Sequence, residues 1–352
     1  MINTYGKLPR GERKIRIQNS NNYNKGFFKN VLETLPMAEG VSMISVVRDF
    51  LFSDNNKVPK NEIPVVKTDI KNITVSSPSI IWFGHSSYMI IIDNKKFLVD
   101  PVFSGNASPV SLFAKEFKGT EFYKPQNIGE IDFLILTHDH YDHLDYKTIK
   151  EIKRRTKHII TSLGVGEHLE FWGVDKKIIT ELNWGENISI DGFNIHCRPA
   201  RHFSGRLIKR YQTLWSSFIL EYQGLKIFIG GDSGFDEETF ASIGKEFPEI
   251  DLVLLECGQY NDKWPFIHMK PEETAMAGKL LGAKNLFPVH WGKFSLALHT
   301  WNEPIKRLQI AAQEKELNLF TPKIGEVVNF LAENTFEEWW NFNISVLRIE
   351  RF

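Results

Sequence analysis

Short apolar runs, separated by glycines and polar clusters, dominate the chain from about residue 73 onwards. They are rich in β-branched and aromatic side chains and are bounded by turn residues, which is typical of buried strands. The predicted strands cover residues 80–83, 88–92, 97–99, 133–136, 218–222, 227–229, 252–255 and 286–289. The predicted helices cover residues 146–157, 237–247 and 272–281, and Pro271 suits the first turn of the last one. Strands mixed with helices predict an α/β fold with buried sheets.

The first 72 residues follow a different pattern, and we predict that they form an N-terminal extension packed on a main domain at residues 73–352. A basic arm covers residues 1–29, where seven basic residues stand against one acidic residue, a net charge of +6. This arm is interpreted either as a solvated segment over the main domain or as a contact for anionic head groups. In the second case each basic residue near the membrane surface contributes about 1 kcal/mol of binding free energy. Residues 30–53 have helical apolar spacing interrupted near Gly40, and residues 54–72 are predicted to form a connection.

The overall composition narrows the class of protein. Its 43 basic and 43 acidic side chains balance, which does not favour a protein built to hold nucleic acid. Two cysteines in 352 residues are too few for a disulfide framework and fit a reducing compartment. No apolar run approaches the roughly 18 residues of a membrane-spanning helix, and the start lacks the apolar core of a signal peptide. We therefore expect a cytoplasmic protein, peripheral to an anionic membrane if the basic arm binds head groups.

Several of the predicted strands run directly into ionisable residues. His138, Asp232, His290 and Asp100 each follow an apolar run within a few positions. Reactive side chains held at strand ends are the usual way in which α/β proteins build a site. The sequence therefore predicts that these four residues lie at or near one functional centre.

The segment THDHYDHLD, at residues 137–145, carries the strongest chemical signal. His138, His140, Asp142 and His143 lie within six residues and are the ligand types that zinc prefers. Such crowded groups repel each other or are costly to bury unless a cation neutralises them. His202 in PARHFSGR joins Asp232 in GGDSG and His290 in PVHWGKF as further candidates, and together they supply enough ligands for two metal ions.

The order of these motifs resembles the metallo-β-lactamase superfamily: HxHxDH, a distant histidine, GDSG and a late histidine after a strand. The flanking segments WFGHSSYMI, VDPVFS, HMKPEE and PVHWGKFSLALH are similar to the N-acylphosphatidylethanolamine-hydrolysing phospholipase D group and its bacterial relatives. The resemblance covers about residues 73–315. It implies a four-layer αββα sandwich with the metals at one edge of the paired sheets.

The resemblance also implies a ligand set for two zinc ions. The first ion takes His138, His140 and His202, the second takes Asp142, His143 and His290, and Asp232 bridges them. Zinc lowers the pKa of bound water to about 7, so a bridging hydroxide is the expected nucleophile. Manganese or iron are alternatives in such mixed nitrogen and oxygen sites. Cys197 and Cys257 are then interpreted as small buried apolar residues.

Other roles follow from matching positions in the same group. Tyr141 and His268 are predicted to bind substrate, and Asp142 and His268 are the predicted catalytic residues. His268 precedes a predicted helix start, which favours anions, although a capping role alone stays open. His85 and Asp100 are predicted to orient ligand imidazoles, with a plain structural role as the alternative.

Two departures from the group affect the predicted substrate rather than the metal site. The spacer between Gln259 and His268 is short, and GDSG has serine in its third position where threonine is usual. The histidines outside the motifs are interpreted as surface or packing residues; they are His158, His168, His196 and His299.

The most specific hypothesis is a dizinc phosphodiesterase acting on N-acylated phosphatidylethanolamine or a related phosphodiester. A sugar-phosphate lactonase or another hydrolase of the same fold is the alternative, and the balanced charge disfavours a nuclease. A non-enzymatic metal sensor is a third hypothesis, which the complete ligand set disfavours. An apolar groove beside the metals would favour a lipid substrate. A small closed polar pocket would favour a lactone substrate. The oligomeric state stays open.

Overall fold

The computed structural model of the protein describes residues 2–52, 56–110, 113–206 and 209–341. Its strands are β1 Tyr23–Asn24, β2 Phe27–Phe28, β3 Ser79–Trp82, β4 Tyr88–Ile92, β5 Lys95–Val99, β6 Ile131–Leu136, β7 Thr156–Ser162, β8 Ile179–Leu182, β9 Asn187–Ile190, β10 Phe193–Arg198, β11 Ser217–Tyr222, β12 Leu225–Ile229, β13 Leu252–Glu256, β14 Leu286–Val289 and β15 Val327–Asn329. Its α-helices are α1 Gly11–Gln18, α2 Met43–Phe52, α3 Tyr146–Ile152, α4 Gly166–Phe171, α5 Glu237–Glu246, α6 Pro271–Leu280 and α7 Glu303–Glu314.

Two mixed sheets form the centre of the main domain. One has the order β15-β3-β4-β5-β6-β7-β8 and the other the order β14-β13-β12-β11-β10-β9. The faces of the sheets meet through aromatic rings: Phe97 and Phe133 stack at 4.5 Å between ring centroids, and Phe193 from the other sheet contacts Phe97 at 4.9 Å. β6 and β13 are buried along their whole lengths because their outer faces are covered as well. The predicted αββα sandwich is confirmed.

Each predicted strand is present, within two residues at either end. The predicted end of the helix at 146–157 is wrong. The helix α3 ends at Ile152, and the β-branched run that begins at Thr156 forms β7. The helix predicted at 30–53 is present only as α2, and Gly40 before it has a left-handed φ of 76°. Position 53 lies outside the described residues. The strands β1, β2, β7–β10 and β15 were not predicted.

The N-terminal extension contacts the main domain over much of its length. Ile17 and Phe28 are buried with Leu163, Leu214 and Trp215 in a small apolar cluster. Residues 56–72 also contribute Ile63 and Ile70 to the main core. The boundary at residue 72 stays a prediction, and residues 342–352 of the predicted main domain lie outside the described residues.

Removing an aromatic ring from the sheet interface should be costly. Phe97→Ala is expected to lower the free energy of unfolding by about 3–5 kcal/mol, because Phe97 is fully buried between the sheets. Chemical denaturation measures this loss. Phe113→Ala is the control, since Phe113 is 61% exposed, and it should change stability by less than about 0.5 kcal/mol. Equal losses in the two variants would contradict this account of the core.

Candidate metal centre

Strand ends bring the predicted ligands to one edge of the sandwich. His138 follows β6 and His290 follows β14 directly, while Asp232 follows β12 after two glycines. His202 lies four residues beyond β10. The strands on which these positions depend belong to both sheets, so the centre exists only when the sheets are packed together.

The backbone at this edge is strained. His85, Asp100, Gln259 and His290 have positive φ angles of 53°, 39°, 63° and 67°. Residues other than glycine adopt this region at a cost of about 1–3 kcal/mol each, and such residues concentrate at functional sites. The packed sheets hold these side chains in directions that an unconstrained chain would avoid.

The ligand atoms form two adjacent groups, within each of which all atoms lie within 4.8 Å of one another. The first group contains His138, His140, His202 and Asp232, and the second contains His85, Asp142, His143 and His290. Asp232 lies between the groups, because its carboxylate oxygens are 3.9 Å from His138 Nε2 and 3.1 Å from both His143 Nε2 and His290 Nδ1. All seven predicted ligands are therefore brought together.

The chemistry of this donor set fits metal ions. His143 Nε2 and Asp232 Oδ1 are buried and lie 3.1 Å apart, but they do not meet in hydrogen-bonding geometry, and neither has another hydrogen-bond partner within the described part of the chain. His140 Nδ1 lies 2.9 Å from His138 Nε2 and 3.1 Å from His202 Nε2, so nitrogens of three imidazoles converge at one point. Unpaired buried polar atoms are costly, and a cation bound between these nitrogens and oxygens would satisfy them.

Burial controls the protonation of the imidazoles. It lowers the pKa of His138, His202 and His290 well below the ordinary range and that of His140 to about 4, so these rings are neutral at pH 7. Neutral imidazole is the form that binds metal. Burial likewise raises the pKa of Asp232 to about 6, because a lone carboxylate is poorly solvated there.

The pKa of His143 departs in the opposite direction. Burial by itself would lower it, but the carboxylates of Asp232, Asp142 and Asp100 outweigh burial and raise it well above the ordinary value. In the absence of metal, a proton on His143 is therefore the charge that partly balances these carboxylates. A metal cation between the same groups would take over this balancing charge.

Hydrogen bonds to neighbouring groups fix the ring orientation of two of the candidate ligands. His143 Nδ1 donates to Asp100 Oδ2 at 2.8 Å, and His202 Nδ1 donates to the carbonyl of Ile267 at 2.8 Å. Asp100 also accepts from the backbone and hydroxyl of Thr137 at 2.9 and 2.6 Å. Both imidazoles are thus left with Nε2 directed at the centre.

The structure gives His85 a closer position than the sequence analysis expected. Its Nε2 lies 3.0 Å from Asp142 Oδ2, and its ring centroid lies 4.1 Å from that of His290. It is fully buried inside the second ligand group, whereas the sequence predicted only an orienting role.

The structure pairs His268 with a residue that the sequence analysis missed. His268 Nδ1 lies 2.6 Å from Glu256 Oε2, and the other oxygen of Glu256 accepts from the backbone N–H of Ser233 at 2.7 Å. Glu256 is fully buried, which raises its pKa well above the ordinary range. Glu256 is the last residue of β13, so the pattern of ionisable residues at strand ends applies to it too.

The structure adds contacts to two residues with predicted roles, and the substrate-binding role of Tyr141 stays a prediction. The hydroxyl of Tyr141 donates to the backbone carbonyl of Arg206, and its ring lies 4.2 Å from the guanidinium of Arg206. His168 is more than a packing residue, because it is 1% exposed and its Nε2 lies 3.2 Å from Asp139 Oδ2, beside the first ligands. The sequence signal that could have indicated this contact is Asp139, an acidic residue between the ligands His138 and His140.

A cavity of about 290 Å³ opens over the ligand groups. Its polar floor consists of His140, Asp142, His202, Asp232, His268 and His290. Its wall is mostly apolar and consists of Pro36, Met37, Val46, Phe203, Trp264, Ile267 and Leu296, together with the polar side chains of Arg210 and Gln259. The first three of these come from the N-terminal extension, which therefore contributes to the site.

Comparison with known proteins agrees with this architecture. A family model described as a beta-lactamase superfamily domain matches residues 95–291. An uncharacterized protein of Mycobacterium tuberculosis is 34% identical over 331 residues, which cover 92% of this chain and 88% of that protein. The chain belongs to the metallo-β-lactamase superfamily. It is a metal-dependent hydrolase of that superfamily.

One further relative and one solved structure are also similar to the chain. N-acyl-phosphatidylethanolamine-hydrolyzing phospholipase D 1 of Caenorhabditis elegans is 29% identical over 269 residues, 70% of this chain and 74% of that protein. A metallo hydrolase from the archaeon Ignicoccus hospitalis shares the fold, with a TM-score of 0.56 and 20% identity over 72% of this chain and 98% of its own. The predicted resemblance to the superfamily and to its phospholipase D branch is confirmed.

The structure bears on membrane association in one respect. Among the described residues, no helix combines the length and the apolar character needed to cross a bilayer. The cytoplasmic location stays a prediction.

The position of Asp232 predicts the effect of removing it. The purified protein should bind two divalent transition-metal ions, and Asp232→Ala should bind no more than one tightly, because the carboxylate between the two ligand groups is lost. Elemental analysis by mass spectrometry after removal of free metal measures the stoichiometry. Cys197→Ala is the control, since this buried thiol belongs to neither ligand group, and it should keep both ions. Two tightly bound ions in Asp232→Ala would contradict the bridging role.

Proposed function

We propose that this hydrolase is a dizinc phosphodiesterase of the phospholipase D type that acts on N-acylated phosphatidylethanolamine or a related lipid. The cavity carries the proposal, because a floor of ionisable side chains meets a wall that is mostly apolar. A lipid phosphodiester needs an ionic centre beside an apolar surface, whereas a sugar-phosphate lactone needs polar groups around its hydroxyls. The activity in the name of the Caenorhabditis elegans relative supports the same substrate class.

A second groove offers space for an acyl chain. It has a volume of about 520 Å³ and shares Pro36 with the cavity over the ligands. Its apolar lining includes Phe27, Phe28, Leu32, Leu35, Pro36 and Tyr211. An acyl chain that leaves the metal centre past Pro36 would be shielded from water along this groove.

The ligand chemistry supports zinc as the metal. Imidazole and carboxylate donors suit this ion, although manganese and iron accept the same donors. Bound zinc would lower the pKa of a water molecule to about 7 and so supply hydroxide at neutral pH. The chain itself supplies no serine or cysteine nucleophile at the floor of the cavity, where the lining residues in the described part of the chain are histidines and aspartates.

His268 is the proposed substrate-binding and catalytic side chain. Its Nδ1 is occupied by Glu256, which fixes the ring orientation and leaves Nε2 as the nitrogen available to a ligand. Its ring lies 5.1 Å from the rings of both His202 and His290, so a phosphodiester at the centre is within reach. Nε2 would donate a hydrogen bond to a phosphoryl oxygen or a proton to the leaving group. Asp142 contributes to catalysis as a ligand of the second metal.

Peripheral membrane contact is part of the proposal, through α2 and less through the basic arm. Arg10, Arg13 and Arg16 are each paired with glutamates of the main domain, so much of the charge of the arm is neutralised within the protein. In contrast, Ile44 and Phe52 on α2 are 82% and 79% exposed, beside a cavity wall to which α2 contributes Val46. Exposed apolar side chains next to a cavity are typical of a lipid-facing surface.

His268→Ala should slow turnover of the phosphodiester roughly tenfold to a hundredfold. A lost hydrogen bond to a charged group costs about 1.5–3 kcal/mol, and about 1.4 kcal/mol corresponds to a factor of ten in rate. The measurement is mass-spectrometric release of N-acylethanolamine from N-acylphosphatidylethanolamine by zinc-loaded protein.

His196→Ala is the matched control, because this partly buried histidine pairs with Glu221 on β11 and does not line the cavity. It should keep the wild-type rate. Unchanged phosphodiester turnover in His268→Ala, together with efficient opening of a sugar-phosphate lactone by the wild type, would replace the lipid substrate with the lactone.

A further inference from the structure

The start of the N-terminal arm is hydrogen-bonded to a buried histidine beneath the metal-binding segment. The backbone N–H of Lys7 donates to His168 Nδ1 at 2.9 Å. Because Nδ1 accepts this bond, the ring hydrogen is on Nε2, which donates to Asp139 Oδ2 at 3.2 Å. His168 and Asp139 are 1% and 2% exposed, so water does not replace either contact.

Asp139 connects two parts of the ligand set. It stands between the ligands His138 and His140 in the chain. Its carboxylate also accepts from the backbone N–H of Gly205 at 2.7 Å and from the hydroxyl of Thr213 at 2.8 Å. The carboxylate therefore holds the first ligand pair against the loop that carries His202.

Arg206 joins the arm to both ends of the metal-binding segment. Its Nη1 donates to the carbonyls of Asp139 and Leu144 at 2.7 Å each, and its Nη2 donates to the carbonyl of Thr4 at 2.7 Å. The guanidinium is buried over the ring of Trp172, whose indole N–H donates to the carbonyl of Asn3 at 2.7 Å. The arm thus supplies three backbone groups to this network.

A buried ion-pair cluster holds the arm in place. Arg13, on α1, pairs with Glu167, Glu170 and Glu181 at 2.5–2.8 Å, and its side chain is only 10% exposed. Removing one partner of a buried ion pair leaves an uncompensated charge, which strongly destabilises the fold. The arm is therefore held in this position rather than in another one.

We propose that residues 3–7 of the arm are positioning residues for the metal centre, acting through His168 and Arg206 on the segment that carries His138, His140, Asp142 and His143. The described residues of the arm contribute no ligand to either group. The arm holds the backbone from which four ligands project, and groups that orient ligands in this way typically change metal affinity by about ten- to a hundredfold. The proposal rests on the two-metal site of the proposed function but not on the identity of the substrate.

Two glycines in the arm allow a matched test. A Cβ on Gly6 would lie 2.1 Å from His168 Nδ1, whereas a Cβ on Gly11 would have no neighbour within 4 Å. Both glycines have left-handed φ angles, 72° and 54°. Gly6→Ala and Gly11→Ala therefore share the backbone strain, and only Gly6→Ala displaces the arm from His168.

Zinc affinity, measured by competition with a chromophoric chelator, should fall about tenfold to a hundredfold in Gly6→Ala and by less than about twofold in Gly11→Ala. The absorption bands of bound cobalt should also change in Gly6→Ala, because the ligand geometry around the ion changes. Equal zinc affinity in Gly6→Ala and wild type would overturn this proposal alone. A wild type that bound no metal would overturn the proposed function as well.

A second measurement needs no substitution and applies even if Gly6→Ala does not fold. Coupling between sites is reciprocal, so zinc binding must stabilise the docked arm as much as the docked arm stabilises zinc binding. Hydrogen exchange at the amide of Lys7 in the wild type should become slower on zinc loading. Protection of the segment 138–145 without any slowing at Lys7 would overturn the proposal.

Discussion

The centre depends on the cost of burying ionisable side chains close together. Asp232 is 3% exposed and lies among the imidazoles of His138, His143 and His290, at distances where its charge must be balanced. These groups are almost completely buried, and among the described residues Asp232 Oδ1 and His143 Nε2 have no hydrogen-bond partner. Two divalent cations would satisfy the same atoms at once. The arrangement of the sheets, the strained loops and the surrounding hydrogen bonds all maintain this geometry.

The geometry of the centre is maintained by strand ends at one edge of the two packed sheets. His138 is directed by β6 of one sheet, while Asp232 and His290 are directed by β12 and β14 of the other. A ligand set divided between two sheets forms only after the sheets have packed together. The site therefore depends on the sheet interface around Phe97. Asp100 then sets the direction of His143. Its own left-handed φ of 39° is held because it directly follows β5 and its backbone N–H donates to the carbonyl of Ile135 on the neighbouring β6.

Local patterns were enough to predict most of the sandwich and the identity of the candidate ligands. Apolar runs are short-range signals, and ionisable residues at their ends indicated His138, Asp232 and His290. The same rule applied to Glu256 would have found the partner of His268, which lies twelve positions further along the chain. The strands β8–β10 were missed because their exposed and partly buried positions lack a continuous apolar run.

Other features could not be predicted because they depend on contacts between distant positions. Lys7 and His168 are 161 residues apart, and nothing near either residue indicates that the arm supports the metal centre. Tyr141 has the position of a substrate contact in the motif, but its hydroxyl is taken by the carbonyl of Arg206, 65 residues away. In both cases tertiary packing decides the role of a side chain that the motif leaves open.

Anomalous diffraction from zinc-loaded crystals, recorded on either side of the zinc absorption edge, tests the central claim most directly. The account predicts two peaks of anomalous density, one among His138, His140 and His202 and one among Asp142, His143 and His290, with Asp232 between them. Asp232, Glu256, His268 and His290 form a third group of donor atoms within 4.8 Å, which provides an internal alternative. A single peak, or a peak at that third group with none at the first two, would contradict the account.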